Sequence, residues 1–298
     1  MYRYGPDAPL ATRGVGRCFR ARAGELTPPG KTRFALSKSM SSIVFYVFEI
    51  MSMGRVYIVG AGPGDPELIT VKGLKLLERA DVVLHDRLVS RELLRRVKPG
   101  AVVVDVGKRP GGAGPGQEEI HKLLLYYCER YELVVRLHGG DPLVFGRGFE
   151  ECEFLVSRGI PCEVVPGVTS GLAAPAKYFI PPVLRGVASS VALVTGREDP
   201  RKETRQVDFK KLASAVDTVV IYMGASAAGE IARKLIAGGL PGDTPAAVVK
   251  SAYFSDEEFF ATTLANLSSV PNPSVIVVGR VVERGVRLWE AARRLLLL

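Results

Sequence analysis

A short apolar run followed at once by a loop of glycine and proline is the feature that most restricts how this chain folds. Val56, Ile58 and Val59 predict a buried β-strand, and residues 60–66 form the loop at its carboxyl end. In open α/β sheets, ligands bind beside loops in that position. The segment therefore predicts an α/β fold whose first strand leads into a binding site, although an ordinary strand-to-helix turn has the same local sequence.

The residues of this loop exclude two common kinds of nucleotide site. A Gly-x-Gly-x-x-Gly motif that begins at Gly60 requires glycine at position 65, where the chain has Asp65. Pro63 and Pro66 remove two amide donors that a pyrophosphate would need. No Gly-Lys-Ser/Thr follows, so the loop is not a P-loop. A turn with so few donors suits a ligand that carries no phosphate.

Further polar motifs follow later predicted strands in a regular order. They are Asp86-Arg87-Leu88-Val89-Ser90 after a strand at 81–85, Gly107-Lys108-Arg109 after 101–106, Gly139-Gly140-Asp141-Pro142 with Phe145-Gly146-Arg147-Gly148 after 133–137, and Pro166-Gly167-Val168-Thr169-Ser170 after 162–165. In order and spacing, this set closely resembles the motifs of the tetrapyrrole (corrin/porphyrin) methylase family. The resemblance covers residues 54–282, which is most of the chain.

The alternation of short β runs with helical patterns predicts a parallel, doubly wound sheet in the first half of the chain. A Gly- and Pro-rich region at 166–186 separates a second half, whose pattern predicts a mixed sheet and a final helix at 283–295. We therefore predict two α/β domains, 54–166 and 167–298, with a ligand cleft between them. The resemblance implies the same architecture and a homodimer.

The first 53 residues differ in composition from the rest. They hold eight basic and three acidic residues, which accounts for +5 of the net charge of +9. The remaining charge is too small to predict a nucleic-acid partner. The segment fits a targeting peptide, a disordered basic leader or a translation start at Met51 or Met53, of which we favour the last. In each case we expect it to lie outside the catalytic fold.

The cysteines and histidines give no indication of a metal site. Cys18, Cys128, Cys152 and Cys162 include no Cys-x-x-Cys pair, so we expect reduced thiols, with Cys152 and Cys162 as small buried residues. Such thiols, and the absence of an apolar run of the ~18 residues that a membrane span requires, predict a cytoplasmic protein without a membrane partner. The histidines never reach metal-ligand spacing, and we expect them to be incidental; they are His85, His121 and His138.

The resemblance also implies a reaction. It implies that S-adenosylmethionine donates methyl groups to carbon atoms of uroporphyrinogen III, in two transfers that pass through precorrin-1 to precorrin-2. A sulfonium already activates the methyl group, so the reaction depends on alignment and desolvation and needs no metal. One modest base must take a proton, and the eight carboxylates of the acceptor call for arginines.

The resemblance assigns these roles to particular residues. Those that match the family's donor site are Pro63, Gly139, Gly140, Asp141, Val144, Thr169, Ser170, Met223 and Ala252. Asp86 and Lys108 match its proton acceptor and donor, and Arg147 joins them as a catalytic candidate. Arg147, Glu150 and Arg185 match residues that engage the tetrapyrrole. Each also has an ordinary interpretation as a turn, helix-start, core or surface residue.

Two departures from the family pattern are visible. A glycine-rich stretch at 111–116 replaces a segment that usually contains histidine, which puts the contribution of Lys108 in doubt, and Phe149 replaces a glycine.

Three other functions compete with this interpretation. The first is that of another methylase of the same fold, which would act on a later corrin precursor or on diphthine. A NAD-dependent oxidoreductase would need a dinucleotide motif that is missing. A catalytically inactive binding protein is disfavoured because Asp86, Asp141 and Arg147 are all present.

Overall fold

The computed structural model describes residues 54–107, 114–198 and 207–296, which lie within one compact unit of the chain. The predicted leader at 1–53 and the predicted proton donor Lys108 fall outside the described residues. Within the described ranges the chain forms two five-stranded β-sheets, one from each half. The domain boundary that we expect after residue 166 stays a prediction.

The first sheet is wholly parallel, as predicted. Its strands are β1 Arg55–Gly60, β2 Val82–His85, β3 Val102–Asp105, β4 Leu133–His138 and β5 Cys162–Val165. They lie in the spatial order β3-β2-β4-β1-β5, so that β4 and β5 flank the first strand of the chain. Because all five strands run the same way, the polar motifs that follow them meet at one edge of the sheet.

Helices cover both faces of this sheet. They are α1 Val71–Leu77, α2 Arg91–Leu94, α3 Gln117–Cys128 and α4 Gly148–Val156. Thr70 caps α1, since its hydroxyl accepts a hydrogen bond from the Gly73 amide at 3.2 Å. Leu77 of α1 is fully buried on one face of the sheet, and Leu124 of α3 is fully buried on the other. Both faces are therefore apolar, as a parallel sheet requires.

The second sheet is mixed, also as predicted. Its strands are β6 Val191–Thr195, β7 Thr218–Tyr222, β8 Pro245–Lys250, β9 Glu258–Thr263 and β10 Ser274–Val278. The spatial order is β6-β7-β10-β8-β9, in which only the β6–β7 pair is parallel. The carboxyl ends of β7 and β8 therefore lie beside the start of β10.

Four helices accompany the second sheet in the described ranges. They are α5 Ser170–Ala176, α6 Phe209–Ala215, α7 Ala228–Ala237 and α8 Val281–Leu296. In the structure Trp289 of α8 packs on Tyr178 and Phe259, with ring centroids 5.2 and 5.3 Å apart. This helix therefore lies on the second sheet. No helix in the described part of the chain is both long and apolar enough to cross a bilayer.

The cysteine prediction was wrong for two residues. Cys152 on α4 and Cys162 on β5 form a disulfide, with Cα atoms 5.7 Å apart, and both are half-buried rather than buried. The turn between α4 and β5 folds the strand back against the helix, and this places the two cysteines together. Cys128 is a free, buried thiol, and burial raises its pKa to about 11.

Candidate active site

A cavity of about 390 Å³ opens at the carboxyl edge of the first sheet, facing the carboxyl ends of β7 and β8 and the start of β10. Small-molecule sites in proteins commonly enclose roughly 300–1,000 Å³. The loops after all five strands of the first sheet contribute to its lining, as expected for an open α/β sheet. Both halves of the chain therefore build one cleft, which we call the inter-sheet cleft.

Ten of the residues proposed from the sequence line this cleft. They are Pro63, Asp86, Gly139, Gly140, Asp141, Val144, Thr169, Ser170, Met223 and Ala252. Arg147, Glu150 and Arg185 are not part of the lining, and Lys108 lies outside the described residues. The structure thus brings together the whole predicted donor site and the predicted base, while the individual roles stay predictions.

Three loops of the cleft approach one another so closely that only glycine fits between them. A Cβ on Gly60 would lie 2.6 Å from the Gly140 carbonyl oxygen, and one on Gly167 would lie 2.3 Å from the same atom. Gly140 itself has a φ of +71°, in the left-handed region that glycine tolerates. Gly62 and Gly140 also exchange backbone hydrogen bonds of 3.2 and 2.7 Å. Packing therefore explains Gly60 and Gly167, and the backbone conformation at Gly140 favours glycine there.

Gly139 is different because the protein around it leaves room for a side chain. The nearest atom to a Cβ built there is the Cβ of Leu88, at an ordinary contact distance of 3.6 Å. Gly139 and Leu88 both line the inter-sheet cleft. The absence of a side chain at 139 thus keeps space open in the cleft itself, where a ligand can approach the backbone.

Asp141 ties two of the cleft loops together. Its Oδ1 accepts a hydrogen bond from the Leu143 amide at 2.8 Å, and its Oδ2 accepts one from the Gly167 amide at 3.0 Å. Asp141 therefore does serve as a turn residue, which is the ordinary interpretation considered from the sequence. A carboxylate oxygen has more than one acceptor site, so Asp141 can still accept from a ligand hydroxyl or ammonium group.

Tyr222, at the end of β7, links the second sheet to the loop after β5. Its hydroxyl lies 2.8 Å from Thr169 Oγ1 and accepts from the Gly171 amide at 3.0 Å. Burial raises the pKa of Tyr222, so the side chain remains a neutral phenol. A Cβ on Gly171 would lie only 2.0 Å from that hydroxyl. We did not single out Tyr222 from the sequence, where its one signal is a polar tip at the end of an apolar strand.

Three residues of the cleft have an unusual backbone conformation. Phe145, Met223 and Ser251 line the cleft and have φ values of +54°, +53° and +45°. Left-handed conformations of residues other than glycine cost about 1–3 kcal/mol each, and they cluster at functional sites. At Met223 this conformation ends β7 and leaves half of the side chain exposed at the cleft. A flexible apolar side chain in that position suits contact with an aromatic ring of a ligand.

The predicted base, Asp86, is held by two donors. Its Oδ1 accepts from Arg136 Nη2 at 2.6 Å and its Oδ2 from the Gly139 amide at 3.3 Å. Arg136, on β4, is buried, and it also donates through Nε to the carboxylate of Glu151 at 3.2 Å. The expectation that His138 is incidental was wrong, because this buried side chain lies 2.8 Å from Glu151 Oε2 through its Nε2.

Glu151 is the most deeply buried charged residue of this group. Its side chain is fully inaccessible to solvent and does not reach the cleft lining. Burial by itself raises the pKa of Glu151, but the His138 hydrogen bond and the charge of Arg136 outweigh it and lower the pKa to about 2. Glu151 is therefore ionised, so it accepts from His138 and fixes a proton on Nε2 of that ring. Among the described residues no group of His, Cys, Asp and Glu forms a metal site.

Arg87 is a cation of the cleft that we did not assign from the sequence. It lines the cleft and is exposed, and no carboxylate among the described residues pairs with it. Its backbone is fixed by Gly107, since a Cβ there would lie 2.3 Å from the Arg87 amide nitrogen. The sequence signal was present, because Arg87 follows Asp86 directly within a motif already identified.

The predicted acceptor ligands lie on the surface, outside the lining of the cleft. Arg147 precedes α4 and donates through Nε to Glu150 at 2.6 Å, with both side chains about half exposed. Exposed pairs of this kind are worth only about 0–1 kcal/mol, so a ligand carboxylate can displace Glu150 at little cost. Arg185 is exposed in a turn between Leu184 and Ala188, whose backbones pair.

Comparisons with known proteins agree with this geometry. The family model described as tetrapyrrole (corrin/porphyrin) methylases matches residues 55–268. A protein of Bacillus subtilis named uroporphyrinogen-III C-methyltransferase is 46% identical over 242 residues, which is 79% of this chain and 94% of that protein. One of the same name from Synechocystis is 46% identical over 244 residues, which is 80% of this chain and 93% of its own length.

A solved structure has the same fold. It is the uroporphyrin-III C-methyltransferase of Thermus thermophilus complexed with S-adenosylhomocysteine, with a TM-score of 0.67 and 40% sequence identity. The alignment covers 78% of this chain and 94% of that one. The likeness therefore includes both sheets and the cleft between them.

Proposed function

Because the chain belongs to the tetrapyrrole (corrin/porphyrin) methylase family, we propose that its inter-sheet cleft transfers methyl groups from S-adenosylmethionine to carbon atoms of uroporphyrinogen III. The observation that carries this proposal is the convergence of ten matched residues, from both halves of the chain, on one cavity. Two successive transfers give precorrin-1 and then precorrin-2. Relatives with this named activity at 46% identity favour it over a later corrin methylase.

The methyl donor occupies the part of the cleft that glycines keep open. Gly139 and Gly140 let the donor approach the backbone, Asp141 accepts from its polar groups, and Met223 lies against its adenine ring. The remaining donor contacts come from Pro63, Val144, Thr169, Ser170 and Ala252. In the reaction the carbon–sulfur bond to the methyl group breaks as a carbon–carbon bond to the pyrrole forms. S-adenosylhomocysteine leaves with the electron pair on sulfur.

The acceptor lies at the open side of the cleft, where cations meet its carboxylates. Among the described residues Arg87 is a cation of the lining, and Arg147 and Arg185 are exposed outside it. Arginine binds a carboxylate through two parallel hydrogen bonds, so it orients the macrocycle as well as attracting it. Glu150, which holds Arg147 in the free enzyme, contacts the acceptor from the first turn of α4.

Asp86 acts as the base that takes the proton released after methyl transfer. It lines the cleft, and two of its acceptor sites are already filled by Arg136 and the Gly139 amide, which leaves the others for substrate. Lys108, which follows Gly107 in the sequence, is the proposed proton donor. Alignment of the methyl group with the acceptor carbon supplies the larger part of the rate enhancement, as in other reactions of bound reactants.

The proposal also covers the location of the protein, its assembly and its partners. The protein works as a cytoplasmic homodimer of chains with domains at 54–166 and 167–298, and it needs no metal, nucleic acid or membrane. Exposed apolar side chains such as Leu143 and Phe149 support a subunit contact. Light scattering of the purified protein tests the dimer, and a monomer at micromolar concentration would contradict it.

Methyl counting tests the reaction. The protein is incubated anaerobically with uroporphyrinogen III and methyl-labelled S-adenosylmethionine, and the product is analysed by mass spectrometry. We expect two methyl groups per macrocycle and one equivalent of S-adenosylhomocysteine for each. Calorimetry should show binding of S-adenosylhomocysteine and none of NAD. No transfer of label, or transfer only to a later corrin precursor, would contradict the proposal.

A further inference from the structure

A fully buried carboxylate stands behind the inter-sheet cleft without touching it. Glu151 accepts from three donors, Arg136 Nε at 3.2 Å, His138 Nε2 at 2.8 Å and Gln117 Nε2 at 3.1 Å. Burying such ion pairs is expensive, and well-packed apolar residues of similar size usually serve stability as well or better. Stability alone therefore does not explain why this charged side chain of α4 is buried against β4.

Arg136 connects that carboxylate to the cleft. One edge of its guanidinium donates through Nε to Glu151, while Nη2 donates to Asp86 at 2.6 Å and Nη1 donates to the Leu137 carbonyl at 3.2 Å. Because the guanidinium is planar and rigid, fixing one edge fixes the direction of the other. Lysine offers only a point charge and cannot hold two carboxylates in a defined relative geometry.

From this geometry we infer that Glu151 is a positioning residue for the proposed base: it aims Arg136, and Arg136 holds the Asp86 carboxylate in its orientation toward the acceptor. The inference rests on the function proposed above, in which Asp86 takes the proton. Glu151 reaches Asp86 through Arg136 and also through His138, whose Nδ1 lies 3.6 Å from Asp86 Oδ2, and it touches neither ligand. Misplacing a reacting group by 1 Å can cost on the order of 10²-fold in rate, so loss of this support affects turnover more than binding.

The Glu151→Gln substitution removes the charge while keeping the shape. A carboxamide has one acceptor oxygen and one donor nitrogen, so it cannot accept from Arg136, His138 and Gln117 together. We expect kcat for methyl transfer to fall roughly ten- to hundredfold, as for a displaced catalytic group. The Kd for S-adenosylhomocysteine and the KM for S-adenosylmethionine should stay within about twofold, since no donor contact changes.

A double-mutant cycle separates positioning from a general structural effect. If Glu151 acts through Asp86, then Glu151→Gln should cost about twofold or less in kcat once Asp86→Asn has removed the base, because residues that act as a unit are not additive. If Glu151 only supports the fold, its substitution should reduce kcat by the same factor in both backgrounds.

Glu153→Gln is the matched control, because Glu153 lies on the same helix and is exposed. It carries the same charge change and should leave kcat unaltered. Arg136→Lys is the second variant. It keeps a buried positive charge, so it should fold even if Glu151→Gln does not, and it should show the same dependence on Asp86.

The outcomes are distinct. A large loss in kcat that vanishes in the Asp86→Asn background supports the inference. Equal losses in both backgrounds overturn it and leave the methyltransferase function standing. Loss of cooperative unfolding in both Glu151→Gln and Arg136→Lys overturns it too, because the network would then serve the fold. A wild-type protein that transfers no methyl group overturns the proposed function, and the inference falls with it.

Discussion

Removing one hydroxyl group, in Tyr222→Phe, should weaken both the fold and the donor site. The hydroxyl accepts from the Gly171 amide in the first turn of α5 and bonds to Thr169, a residue of the proposed donor site. Without it the Gly171 N–H has no acceptor in a buried position, which costs about 1–3 kcal/mol of folding free energy. Thr169 loses a hydrogen bond worth about 0.5–1.5 kcal/mol that fixes its orientation.

Two measurements check these magnitudes. Denaturant unfolding should show a loss of about 1–3 kcal/mol in the free energy of unfolding, with an unchanged slope. Calorimetry should show an increase of about two- to tenfold in the Kd for S-adenosylhomocysteine, which is the affinity equivalent of the weakened Thr169 contact. Tyr57→Phe is the control, because within the described ranges the Tyr57 hydroxyl bonds only to Arg55, at 3.4 Å on the surface.

Tyr222→Phe should change both the free energy of unfolding and the affinity for S-adenosylhomocysteine. If Tyr222→Phe unfolds at the same denaturant concentration as the wild type, the Gly171 amide does not depend on the hydroxyl. If stability falls while the Kd is unchanged, Thr169 is not oriented by Tyr222 in the way described. Either result would refute the link that we draw between the second sheet and the donor site.

Three further predictions concern other parts of the cleft. Arg87→Ala should raise the KM for uroporphyrinogen III about tenfold or more, while calorimetry shows unchanged S-adenosylhomocysteine binding; a change in both would disprove the acceptor role. Gly139→Ala should leave the melting temperature within about 2 °C but weaken S-adenosylhomocysteine binding, whereas Gly116→Ala, in open space with φ of −69°, should affect neither. Because the pKa of Glu151 is lowered to about 2, its ionised form stabilises the fold above pH ~5, and that part is lost as the pH falls toward 2. Glu151→Gln should therefore be less stable at pH 7 and lose less stability on acidification, as followed by denaturant unfolding.

Most of the fold was predictable because its strands and helices follow apolar periodicities that are visible in the sequence. The five strands of the first sheet were predicted within about two residues of their observed ends, and so was the C-terminal helix α8. The short helices α2, α5 and α6 were not predicted. Each is seven residues or fewer, and their ends depend on tertiary contacts such as the bond from Gly171 to Tyr222.

The site was predictable where a motif follows a strand, and not where two distant elements meet. The motif after β4 led to Gly139 and Asp141, because its position in the chain defines its position at the sheet edge. The hydrogen-bond network of Asp86, Arg136 and Glu151 behind the cleft could not be predicted from a motif. Arg136 and Glu151 belong to a strand and a helix whose packing brings them together, and each looks ordinary in its own segment. The same holds for Tyr222.

The strand order of the first sheet has a consequence for how the chain matures as it is made. β1 is complete at Gly60, yet its first neighbour, β4, begins only at Leu133. At translation rates of about 5–20 residues per second, the 72 intervening residues take about 4–14 s to synthesise. During that time both edges of β1 lack their native partners, a state in which apolar strands are prone to aggregate. The inter-sheet cleft, which also needs residues of β10, is therefore among the last features of the nascent chain to form.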